Sequence, residues 1–99
     1  MLVVGGSDRT TNEGVDRANL GLPGQQLELV QRVYAAATKA GSKFALVLVH
    51  GRPLAEPWIK HNIPTVLETF LAGQAQGSAT VDVLLGAYNP AGRLPIRYY

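Results

Sequence analysis

Phe44-Ala45-Leu46-Val47-Leu48-Val49-His50-Gly51-Arg52-Pro53 is the stretch that decides the fold of this chain. Its apolar part, Phe44 to Val49, runs without alternation between Lys43 and His50. A strand with one wet face alternates apolar and polar residues. A continuous Val/Leu run belongs to a strand covered on both faces, the habit of parallel sheets clothed in helices. Gly51 and Pro53 end the run.

Upstream, Leu2-Val3-Val4 followed by Gly5-Gly6 reads as a second short buried strand. Between the two strands, Pro23-Gly24 opens a helix expected over roughly Gln25 to Ala40. Leu27, Val30, Tyr34 and Ala37 recur on one face of a 3.6-residue period, Pro23 suits a first turn, and Lys39 and Gly41 are stop signals. Ser7 to Leu22 is a polar loop without clear periodicity. Downstream, Leu54 to His61 reads as a short helix with Pro57 in its first turn. Thr65 to Phe70 is a third strand, Ala72 to Gly77 a loop, and Ser78 to Leu85 a short helix ended by Gly86. Asn89 to Gly92 is a turn, and Leu94 to Tyr99 an edge strand with Pro95 near its start. Strands alternating with helices over short connections predict an α/β layered sandwich, a mostly parallel sheet flanked by helices. No repeat or linker divides the chain, so residues 1–99 are expected to form a single domain, part of a larger one by its size.

Composition narrows the function classes. Of 99 residues, 46% are hydrophobic and 16% charged, with 11 glycines, 6 prolines and no cysteine. The charged share lies below the ~25% of ordinary domains, which fits much buried strand or a surface covered by something larger. Without cysteine there is no disulfide framework and no thiolate metal site. The longest stretch free of charge and proline, Thr69 to Val81, is too short and too polar to span a membrane, and no secretory signal opens the chain. The net charge is only +2 and the basic residues are scattered, which argues against nucleic acid as a partner. His50 and His61 lack metal-pair spacing. No third glycine completes a dinucleotide fingerprint after Gly5-Gly6, and no Gly-Lys-Ser/Thr phosphate loop or Gly-x-Ser-x-Gly elbow occurs. No cofactor is expected.

In open α/β sheets ligands bind beyond the carboxyl ends of the strands. Three segments rich in glycine and polar residues fall there: Gly5 through Arg17, His50 to Pro53, and Gly73 to Gly77. A loop as long as the first is more often functional than not. Glu13, between Asn12 and Gly14, is a carboxylate that can approach a ligand, though a solvated loop acid has the same signature. Asp16 and Arg17 read either as substrate contacts or as charges that fix the loop. Arg52 reads as a ligand for an anion or a sugar hydroxyl, or as a surface residue. His50 has the character of a hydrogen-bonded structural histidine and Trp58 that of a packing residue or a sugar platform.

These segments carry a resemblance. Val3-Val4-Gly5-Gly6, Asn12-Glu13-Gly14-Val15-Asp16-Arg17-Ala18-Asn19-Leu20-Gly21-Leu22-Pro23-Gly24-Gln25-Gln26, Leu46 to Leu54, Ala72-Gly73-Gln74 and Asp82 to Pro95 resemble, in order, the C-terminal α/β-sandwich domain of glycoside hydrolase family 3, the β-glucosidases and β-xylosidases. The resemblance implies a role in retaining hydrolysis of β-linked oligosaccharides or glycosides. One carboxylate attacks the anomeric carbon while a second protonates the leaving oxygen and later activates water. In that family the nucleophile is an aspartate of an N-terminal barrel, and the sandwich domain contributes the acid/base glutamate. Carried onto this sequence, that role falls on Glu13, with Asp16 and Arg17 shaping its loop, Arg17 and Arg52 facing substrate, and Gly51 and Gly73 letting backbone approach the cleft. None of Asp8, Asp16, Asp82, Glu28, Glu56 or Glu68 matches the nucleophile motif, so the chain is expected to be an inactive portion of a parent enzyme, whose location the sequence leaves open. Ala72-Gly73-Gln74-Ala75-Gln76-Gly77 departs from the family's usual Pro-Gly-Gln-Glu-Gly-Gly. That departure leaves a second reading, a non-catalytic carbohydrate-binding or interaction module.

Overall fold

The computed structural model describes residues 1–95. Three parallel strands, β1 (Leu2–Gly5), β2 (Leu46–Val49) and β3 (Val66–Glu68), lie side by side in the order β1-β2-β3. Val4 stands opposite Leu48, and Leu48 opposite Glu68, so the carboxyl ends of all three strands come level along one edge. The continuous apolar run forms the middle strand, as its pattern requires: Leu46, Val47 and Leu48 are all buried.

The described residues form four helices: α1 (Asp8–Thr11) and α2 (Gln26–Lys39) between β1 and β2, α3 (Pro57–Asn62) between β2 and β3, and α4 (Gln76–Leu84) after β3. Val30 of α2 and Ile59 of α3 share one core with Val4, Leu46 and Leu48, which puts both helices on the same face of the sheet. Tyr34 seals their junction, meeting Phe44 at 5.4 Å and Trp58 at 6.3 Å between ring centroids, both edge-on. The packing reading of Trp58 is therefore the one the fold adopts. Removing a fully buried leucine from such a core costs ~2–5 kcal/mol, and Leu46 has no exposed surface.

The fold class expected from the sequence is the one observed, with differences at the element ends. Helix α2 closes where expected: Ala40 caps it, and the amides of Gly41 and Ser42 return to the carbonyls of Thr38 and Ala37 at 3.1 and 2.9 Å. Helix α3 starts at Pro57 and not at Leu54, because a residue before proline is driven out of the helical region, and Glu56 is non-helical (φ −126°, ψ 83°). Strand β3 is shorter than expected; Phe70, at φ +52°, turns the chain out of the sheet. Helix α4 begins two residues early, at Gln76. The polar loop after β1 contains a helical turn, α1, whose entry is closed on itself: Thr10 Oγ1 accepts from the Ser7 amide at 2.8 Å and donates to the Ser7 carbonyl at 3.0 Å. That pairing is local, and hydrophobic periodicity does not report it. Of the expected fourth strand, Leu94 and Pro95 are not in a strand and residues 96–99 lie outside the described region.

Candidate functional site

The first loop leaves β1 through a tight exit. A Cβ on Gly5 would lie 1.7 Å from the Val49 carbonyl oxygen, so only glycine lets the two strand ends come this close, and the Gly6 amide then donates to that oxygen at 2.9 Å. Gln26, the first residue of α2, grips Gly5 from the other side. Its Oε1 accepts from the Gly5 amide at 2.7 Å and its Nε2 donates to the Gly5 carbonyl at 2.8 Å.

Glu13 occupies the second position of a four-residue turn. The Val15 amide donates to the Asn12 carbonyl at 3.2 Å, and Gly14 supplies the positive φ, +72°, that the third position of this turn takes. The Glu13 side chain is exposed, with no hydrogen bond or ion pair to another described residue.

Both arginines expected at the site are engaged with backbone. Arg17 Nη2 donates to the Gly21 carbonyl at 2.8 Å and to Asn19 Oδ1 at 3.2 Å. Arg52 Nη2 donates to the Asn12 carbonyl at 3.2 Å and to the Val15 carbonyl. The segment after β2 continues along the loop as a rail. The Ala55 amide donates to the Leu20 carbonyl at 2.8 Å, and Glu56 Oε1 accepts from the Leu22 amide at 2.6 Å. Gly51 lies between loops and not over open space: a Cβ there would fall 2.6 Å from Thr11 Cγ2 and 3.1 Å from Leu71 Cδ1. Gly73 has nothing nearby and serves a turn through its φ of +82°.

A cavity of about 240 Å³ opens where these loops meet, bordered by Thr10, Thr11, Arg17, Asn19, His50 and Arg52 among others. Arg17 and Arg52 are thus brought together. Glu13 is not part of the lining; it stands on the adjoining turn that Arg52 holds. His50, 2% exposed, shares a 2.5 Å hydrogen bond between Nε2 and Glu68 Oε2 and meets the Phe70 ring edge-on at 5.7 Å, in keeping with a structural histidine. His61 bonds the Pro57 carbonyl one helical turn back, at 2.6 Å. No group of three His, Asp or Glu among the described residues could hold a metal ion, and no helix is long and apolar enough to cross a membrane.

A larger depression of about 650 Å³ lies beyond β3, bordered by Ile59, Lys60, Phe70, Arg93 and the carboxylates of Glu56 and Glu68. Both carboxylates are already bonded, to the Leu22 amide and to His50. The first-loop cavity, with donors facing it and an unengaged carboxylate beside it, is the stronger candidate. Sequence reasoning missed Glu56 and Gln26 as parts of this site. Their signal, a Glu before the helix-opening Pro57 and a Gln at the start of α2, is weak in isolation.

Known sequences match this chain over nearly its whole length. The family model described as the glycosyl hydrolase family 3 C-terminal domain matches residues 1–99. A "Beta-xylosidase" of Formosa agariphila is 43% identical over 98 residues, and a "Periplasmic beta-glucosidase" of Salmonella typhimurium 40% identical over 98; each match covers 99% of this chain. A "Thermostable beta-glucosidase B" of Acetivibrio thermocellus is 37% identical over 94 residues, 95% of the chain. The chain spans only 13%, 12% and 12% of these three relatives. No solved structure matches significantly.

Proposed function

This chain belongs to the glycosyl hydrolase family 3 C-terminal domains, and from that premise we propose that it supplies the acid/base half of a retaining β-glycosidase site. The observation that carries the reading is Glu13, an unengaged carboxylate at the tip of a hydrogen-bonded turn at the carboxyl edge of a parallel sheet. In the first step Glu13, protonated, donates to the glycosidic oxygen while a carboxylate of an N-terminal barrel domain attacks the anomeric carbon. In the second, ionised Glu13 takes a proton from the water that displaces the enzyme from the sugar. The two carboxyls of such a site stand ~5–5.5 Å apart. Arg17 borders the neighbouring cavity, and a guanidinium has five N–H donors, so it retains donors for sugar hydroxyls beyond those spent on Gly21 and Asn19. The names of the relatives support a β-glucoside or β-xyloside as substrate. Exposed Leu71, Leu85 and Tyr88, at 64%, 80% and 62%, fit a surface that the barrel covers.

The test is Glu13→Ala in the full-length protein that carries this domain. Activity on an aryl β-glycoside falls by ~10²–10⁴-fold, the usual worth of acid/base catalysis. Added azide restores turnover and appears in the product as a β-glycosyl azide. Wild-type activity in this variant removes Glu13 from the role. Residues 1–99 alone are expected to turn over no aryl glycoside, because in this reading the nucleophile belongs to the barrel domain.

A second reading, a carbohydrate-binding module without catalysis, is favoured by one observation: no carboxylate lines the first-loop cavity among the described residues. Saturable binding of xylose, glucose or short β-oligosaccharides to the isolated chain, followed by calorimetry, supports it over the catalytic reading.

A further inference from the structure

The turn that carries Glu13 makes one hydrogen bond of its own, the Val15 amide to the Asn12 carbonyl. What fixes it to the body of the domain comes from 37–40 residues away in sequence. Arg52 Nη2 donates to the carbonyls of both Asn12 and Val15, the first and last residues of the turn, so one cationic group closes it from outside. Arg52 is itself well anchored. It stands three residues beyond β2, whose Leu46, Val47 and Leu48 are buried, and a side chain on Gly51 before it would run into Thr11 and Leu71.

We infer that Arg52 is the positioning residue of the acid/base glutamate: it transmits the position of the central strand to Glu13 and sets where that carboxyl meets the glycosidic oxygen. The inference rests on the proposed role of Glu13. Two carbonyls converging on one guanidinium suit a charged donor, because hydrogen bonds to an ionised partner are shorter and roughly twice as strong as neutral ones. The planar fork also fixes direction in a way an ammonium does not. Without Arg52 the turn stays formed but loses its fixed distance from the sheet. A displacement of ~1 Å in a catalytic group can cost ~10²-fold in rate.

A lost substrate contact and a misplaced acid leave different kinetic signatures. An aryl glycoside with a poor leaving group, such as phenyl, needs a proton on the departing oxygen in the first step; 2,4-dinitrophenyl does not. In the full-length protein, kcat/KM is measured for both substrates in the wild type, Glu13→Gln, Arg52→Ala and Arg52→Lys. The expected result for Arg52→Ala is a loss of roughly 10- to 10²-fold on the phenyl glycoside, with kcat/KM for the dinitrophenyl glycoside nearly unchanged. Arg52→Lys, which keeps one charged donor, recovers part of the loss. An equal fall on both substrates makes Arg52 a ground-state contact and overturns the inference. So does an unchanged phenyl rate. If Glu13→Gln itself shows no leaving-group dependence, the acid/base reading fails, and the inference with it. A normal Glu13→Gln signature with none from Arg52→Ala sinks the inference alone. Should Arg52→Ala fail to accumulate, Arg52→Lys carries the same test, with a smaller loss of the same leaving-group pattern expected and an equal fall on both substrates counting against.

Discussion

The loops that follow β1 and β3 are closed by the same device and stabilised in opposite ways. In each, a glutamine at the first position of the helix that closes the loop turns back onto the end of the strand before it. Gln26 binds both backbone groups of Gly5, and Gln76 donates from Nε2 to Thr69 Oγ1 at 2.8 Å and to the Phe70 carbonyl at 3.0 Å, while its Oε1 accepts from the Ala72 amide at 3.2 Å. The reach differs. Gln76 holds residues four to seven positions away, so the third loop organises itself. The first loop is held by Gln26 from 21 positions away, by Glu56 from 34 and by Arg52 from 37 to 40. A loop tied to the sheet and to the next connection inherits its geometry from the whole domain. A self-tied loop moves as a unit without disturbing its neighbours.

The strongest way to break the comparison is at Gln26. Gln26→Ala strips two partly buried hydrogen bonds at Gly5, where each unsatisfied group costs ~1–3 kcal/mol. The expected loss is about 2 kcal/mol in urea unfolding, with hydrogen exchange accelerating from Gly5 through the whole first loop while the third stays protected. Acceleration confined to Gly5 and Gly6 shows the first loop to be as self-contained as the third. Glu56 is the next test. Glu56→Ala leaves the buried Leu22 amide without its side-chain acceptor, at ~1–2 kcal/mol, whereas Glu56→Gln keeps an oxygen in place and recovers most of that. Equal destabilisation by the two variants makes the carboxylate charge, and not the acceptor, what the loop requires.

How much of this was legible in the sequence follows the same division. The Leu46–Val49 run, the period-3.6 face of α2 and the stop signals at Lys39 and Gly41 are patterns of burial and local backbone chemistry, and all reappear in the fold. The ends of α3 and α4 shifted because Pro57 restricts its predecessor and Gln76 bonds backward, both effects of single residues on two or three neighbours. The candidate site was legible as a location. Glu13, Arg17 and Arg52 stand in segments recognised by composition and by their position at the strand ends. That the two arginines hold carbonyls of the first loop depends on which backbone groups lie opposite them after folding, and nothing in the residue order specifies those pairings. The rail formed by Arg52, Ala55 and Glu56 was hidden for the same reason, with the added mask that its stretch reads as the start of a helix.

Gln76 gives the smallest effect and the sharpest control. Its three hydrogen bonds are partly exposed, and water can replace some of them on truncation, so Gln76→Ala is expected to cost about 1 kcal/mol. Part of even that is offset, since alanine is the better helix former at the first turn of α4. The consequence should stay local. Amides of residues 69–76 exchange faster, Phe70 loses the bond that holds its carbonyl at φ +52°, and the chain beyond β3 loosens. His50 should report whether the disturbance travels, because its ring touches Phe70 and its Nε2 bonds Glu68. If the His50 ring resonances and first-loop protection are unchanged in Gln76→Ala, the two loops are independent and Glu13 is positioned from β2 alone. If the first loop loosens as well, the path runs from Phe70 through His50 into the cavity it borders with Arg52, and the third loop becomes a second determinant of where Glu13 stands.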